Sequence, residues 1–144
     1  MRSILFIAIG FAVSVMASCK KDGTSGSIAG NWAVVSDSTS SSGIGPNGTP
    51  SGNKYIGVAG DHFDFTSAGK LYVNEGGFKI DTAQYTITGT RLSLEYSYLH
   101  VGDITVRGSG GGYDITTLSR NSLVLTEDAL TPGGRIYEQI ILTK

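Results

Sequence analysis

The chain is short of the groups from which catalytic and metal centres are built. It has one cysteine in 144 residues, so no disulfide can close within it. With two histidines and no second thiol, a zinc site of the usual nitrogen and sulfur type is hard to assemble. Charged residues make up 16% of the chain, the formal net charge is −1, and no basic cluster follows Lys20-Lys21. That balance leaves no electrostatic footprint for nucleic acid and no field to steer a charged substrate. There is no Gly-x-Ser-x-Gly elbow, and the glycine run at 108–112 lacks the Lys-Ser/Thr ending of a phosphate loop. The run reads as a hairpin loop instead. No long amphipathic helix pattern appears after Cys19. These absences point away from an enzyme, and no cofactor is expected. Three prolines stand against 21 glycines, the balance of many short strands joined by tight turns.

The most informative stretch that is present is Val15-Met16-Ala17-Ser18-Cys19. Arg2 gives a positive start, and residues 4–17 form an apolar run broken only by Gly10 and Ser14, as in a secretory signal. The run falls short of the roughly 20 residues of a bilayer span. Small residues directly before the cysteine resemble the lipobox of bacterial lipoproteins, which implies cleavage before Cys19 and acylation of its thiol with chains such as palmitate. Several acyl chains together hold a protein at a membrane, where one alone is marginal. No acidic residue follows Cys19 directly, so the resemblance implies the outer membrane, and Lys20-Lys21-Asp22 looks like a surface-export tag. The predicted organisation is a signal peptide over 1–18, a lipidated flexible tether over 19–27, and one domain over 28–144, expected to be a monomer.

From residue 28 the pattern is that of strands. A first strand is predicted over 33–37. Residues 38–53, rich in serine, glycine and proline, read as a long surface loop. Phe63 and Phe65 alternate with His62, Asp64 and Thr66, then 67–69 turns into a strand over 70–74. A hairpin follows, 84–87 returning as 91–98 with Leu92, Leu94, Tyr96 and Tyr98 inward. Residues 99–112 are ambiguous between strand and loop. Strands over 113–118, 122–127 and 134–143 complete about eight, and closing such a meander removes both sheet edges. The expected fold is all-β, an up-and-down antiparallel barrel, with an immunoglobulin-like sandwich as the alternative.

Gly30-Asn31-Trp32 at the start of the first strand resembles the Gly-x-Trp signature of lipocalins. The order of strand and turn motifs through 63–70, 85–94, 113–118 and 123–125 is similar to that of bacterial lipocalin-like lipoproteins. The arginine that stacks on the signature tryptophan in that family has no clear counterpart, and Lys144 and Arg120 are the candidate cations for Trp32. The resemblance implies a barrel able to hold a small apolar ligand. Inward Phe63, Phe65, Tyr85, Leu94, Tyr96, Tyr98 and Tyr113 are its candidate lining, the tyrosine hydroxyls orienting the guest. The same residues also make a packed core, and the alternative function is a surface interaction or inhibitor module with a filled barrel. A metal site at His62, Asp64 and His100 is the remaining, remote candidate.

Overall fold

Period-two alternation yields eleven strands, and no helix, among the residues described by the computed structural model. These are 26–43, 49–95, 98–101, 104–107 and 112–144, the segments 98–101 and 104–107 in their backbone. In chain order the strands are β1 (Gly30–Ser42), β2 (Ser51–Ile56), β3 (His62–Phe65), β4 (Lys70–Glu75), β5 (Phe78–Thr88), β6 (Arg91–Leu94), β7 (Tyr98–Val101), β8 (Ile104–Arg107), β9 (Tyr113–Leu118), β10 (Ser122–Thr131) and β11 (Gly134–Thr143). Nine of them form one sheet in the order β11-β10-β9-β6-β5-β4-β3-β1-β2. The pairing of β11 with β1 closes it, giving an antiparallel barrel of eight strands with one extra strand, β2. Barrel neighbours follow chain order, as an up-and-down meander requires.

Two irregularities in the wall shape the interior. β3 pairs with β1 at residues 30–33 and β2 pairs with the same edge at 36–41, so β2 and β3 act as one strand interrupted at 57–61. The interruption presses against β1: a Cβ at Gly57 would stand 1.9 Å from the Val34 carbonyl oxygen, so only glycine fits. Opposite it, β1 carries a bulge, its register with β11 stepping from Val34↔Leu142 to Ser36↔Ile141. The extra residue is Val35. Inward alternation on β1 therefore changes phase there, from Trp32 and Val34 to Asp37 and Thr39.

Three stretches depart from the sequence pattern. Residues 38–42 and 51–53 are not loop but ladder. Ser40 sits between Tyr137 of β11 and Gly52 of β2, and the Ser41 and Ser51 hydroxyls are 2.8 Å apart. Serine has little strand preference of its own, but partners on both edges override that. β5 begins at Phe78, where Gly76-Gly77, both with positive φ, make a two-residue hairpin turn from β4. The predicted strand over 91–98 ends at Leu94, because β9 pairs with β6 only at Arg91 and Leu92 before Gly112 turns the chain against the Leu92 carbonyl. Tyr98 instead opens the separate hairpin β7–β8, in which β7 touches β4 and β5 while β8 touches β1 and β2.

One end of the barrel is filled by apolar side chains. Trp32, Phe63, Leu71, Leu123, Ile140 and Leu142 are fully buried there. Each contributes about 1.5–3 kcal/mol relative to an exposed position.

Candidate functional site

At the closed end, Trp32 donates its indole N–H to the Ile28 carbonyl at 2.6 Å. Lys144 Nζ lies 4.2 Å from the centre of the indole and donates to the Ala29 carbonyl at 3.2 Å. Of the two cations considered from sequence, Lys144 is the one that covers the tryptophan. Gly30 has φ 127°, and an added Cβ would meet Lys144 Nζ at 3.1 Å, so the glycine two residues before Trp32 leaves room for that cation.

The predicted lining residues whose side chains are described belong to one apolar core or pack against it. Phe63, Phe65 and Tyr113 are fully buried. The Phe63 and Phe65 rings are tilted with centres 6.2 Å apart, and Tyr85 meets Phe65 edge-on at 5.3 Å. Tyr85 and Leu94 are half-buried against this core and border a shallow depression of about 380 Å³ with Gln84, Ser93 and Glu95. The Tyr85 hydroxyl donates to the Thr66 carbonyl at 2.6 Å, and burial pushes its pKa up. Tyr96 lies outside the described residues, as do Cys19, the predicted signal segment and most of the tether. Tyr98 and His100 lie on β7, described in its backbone. His62 and Asp64 face outward, His62 donating from Nδ1 to the Gly60 carbonyl at 2.9 Å, and among the described residues no set of three potential ligands is placed to hold a metal.

Above the apolar end the interior changes character. Glu138 of β11 lies between Thr39 of β1 and Glu127 of β10 in the ladder, and Asp37 sits one inward position deeper, opposite Ile140. Asp37, Glu127 and Glu138 are all buried. The Tyr113 hydroxyl donates to Glu138 Oε2 at 3.1 Å, and burial followed by the nearby acids holds Tyr113 protonated well above its ordinary range. Both oxygens of Asp37, Oε1 of Glu138 and Oγ1 of Thr39 are buried without a hydrogen-bond partner. Loss of water raises Asp37 to about 7, offset in part by the neighbouring Glu138 carboxyl. Burial first, and then the charge of Asp37, raises Glu138 to about 8. The two carboxyls titrate as a pair that retains a proton near neutrality.

Sequence reasoning missed this acidic level. Glu127 was readable from Leu123 and Leu125, and Glu138 from Ile140 and Leu142, by simple alternation. Asp37 was not, because counting from Trp32 and Val34 points it outward and only the bulge at Val35 turns it in.

The fold defines the class of protein: a closed antiparallel β-barrel with an apolar floor and a buried acidic level above it. Comparison with protein-family models, with curated proteins and with solved structures gave no match.

Proposed function

We propose that this chain is an envelope-anchored lipoprotein whose lipocalin-like barrel holds a small, largely hydrophobic molecule. The observation that supports the binding part is the closure of β1 on β11 over Trp32, with Lys144 covering the ring, in an eight-stranded barrel, a size that is either filled by its own side chains or holds one small guest. The address rests on Cys19 and the apolar run before it. Among the described residues no helix is long and apolar enough to cross a membrane, and the attachment proposed is through acyl chains on Cys19 at the outer membrane.

Two measurements test the reading. Replacing Cys19 by Ala is expected to abolish palmitate labelling and move the chain from the membrane to the soluble fraction; unchanged fractionation overturns the anchor. Extraction of the purified chain followed by mass spectrometry, with uptake of a fluorescent fatty-acid probe, is expected to reveal a bound apolar molecule; neither signal overturns the binding role.

A second reading is favoured by the complete burial of Phe63, Phe65 and Tyr113: a filled barrel acting through its surface. Its contact face would be the flank around 57–61, where Ile56, Val58 and Phe78 are exposed and the Gly77 N–H donates to the Gly60 carbonyl. Loss of an envelope cross-link on Phe78→Asp, with probe uptake unchanged, selects this alternative.

A further inference from the structure

We propose that Asp37 and Glu138 form a receptor for an ammonium group inside the barrel, so that the ligand is an amphipathic primary amine rather than a neutral lipid or a carboxylate. The proposal rests on the reading of the barrel as a small-molecule binder and names the class of molecule it takes.

Placement comes first. The acidic level stands directly on the apolar floor, Asp37 being opposite Ile140 and Glu138 two residues before it on β11, so a polar head seated at the acids has apolar side chains beside it. Unmet bonding capacity comes second. Among the described residues four buried oxygens on two adjacent strands, both of Asp37, Oε1 of Glu138 and Oγ1 of Thr39, receive no N–H or hydroxyl donor and have only the proton kept by the pair, whereas Glu138 Oε2 is already taken by Tyr113. An –NH3+ group carries three donors and no acceptor, which matches this set of acceptors. A neutral apolar guest leaves them unsatisfied, and an anion is repelled. A hard divalent cation takes six or more oxygens, and among the described residues no three acidic or imidazole groups are placed to hold one. The buried charged groups among the described residues are all acids.

The site is linked to protons. The groups facing the pair are Glu127 from β10, Tyr113 from β9 and Tyr55 from β2, which lies opposite Asp37 but gives its hydroxyl to Asp61. β8 also touches β1, and its one charged residue is Arg107. Without ligand the pair keeps a proton to neutralise its mutual repulsion, and an arriving ammonium displaces it. Binding therefore tightens as pH rises through the raised range of the pair.

The test is calorimetric titration of the full chain with n-hexylammonium, 1-hexanol and hexanoate at pH 6 and pH 8, the amine staying charged at both like a lysine side chain. Hexylammonium is expected to bind about tenfold more tightly than either analogue, to gain about tenfold or more from pH 6 to pH 8, and to release a proton. Asp37→Asn and Glu138→Gln are each expected to remove the preference for the amine while hexanol binding remains. If hexanol or hexanoate equals the amine, the ammonium assignment fails and the binding reading stands. If none of the three is taken up, both fail. Should a variant not fold, the pH series on the unaltered chain decides, and a flat amine affinity overturns the proposal.

Discussion

Two aspartates are buried among the described residues, and they behave in opposite ways. Asp61 sits in the interruption between β2 and β3, where Oδ2 accepts from the Tyr55 hydroxyl at 2.6 Å and the Val58 N–H at 2.8 Å, and Oδ1 from the Gly76 N–H at 2.8 Å. Burial raises its pKa, but these three donors and the nearby His62 outweigh it and the net shift is downward. Among the described residues no backbone N–H or hydroxyl donates to Asp37, whose only polar neighbour named here is the Glu138 carboxyl, and its pKa goes up. Burial alone therefore does not decide whether a carboxyl in this protein is charged; the supply of donors does. The first arrangement stiffens the wall, tying the 57–61 jog to the β4–β5 turn. The second leaves bonding capacity unused inside.

The comparison can be broken most severely with pH. Asp37 and Glu138 hold protons in the folded state above the ordinary carboxylate range, so between about pH 4 and the raised values the folded chain binds more protons than the unfolded one. Stability must then fall as pH rises, and urea unfolding is expected to show a loss of about 4 kcal/mol from pH 5 to pH 9, less than two independent shifts of this size because the pair titrates jointly. In an Asp37→Asn, Glu138→Gln double variant the slope should flatten. Asp61 acts with the other sign: its lowered pKa contributes stability that is lost as pH falls through its folded value, at the acid end.

Removing the saturated carboxyl comes next in size. Asp61→Ala strands one hydroxyl and two backbone N–H groups and is expected to cost about 3 kcal/mol in chemical denaturation, with faster amide exchange at Val58 and Gly76. Tyr55→Phe deletes a single donor to a charged acceptor, with an expected cost of about 1.5 kcal/mol. It should also raise the Asp61 pKa seen by NMR titration. The smallest effect is expected at the exposed pair Asp128–Arg135 across β10 and β11. There Arg135 lowers the Asp128 pKa, yet Asp128→Ala should leave the unfolding midpoint unchanged within error, because water screens the pair.

Much of the wall was legible in the letters. The limits of β9 and β11 follow from alternation and flanking turns, as does the inward placement of Phe63 and Phe65. The first half of β5 was missed although Gly76-Gly77 between two apolar stretches is a hairpin signal. The strand character of 38–42 was not recoverable, since serines take it only from β11 and β2 on either side. At the candidate site, alternation alone was enough to place Glu127 and Glu138 inside, but not Asp37.

By itself the sequence determined that the chain folds as short antiparallel strands with one apolar face, because period-two alternation and turn glycines are local properties that need no partner to be read. It also placed a tryptophan at the start of the first strand, and the resemblance to lipocalins implied a cation above it. Only the tertiary structure decided which cation that is, because Lys144 reaches Trp32 when β11 closes on β1. The same closure, with a one-residue bulge at Val35, turned Asp37 from the outer face to the interior. A change of phase in a strand depends on the register of its neighbours, which no local pattern carries.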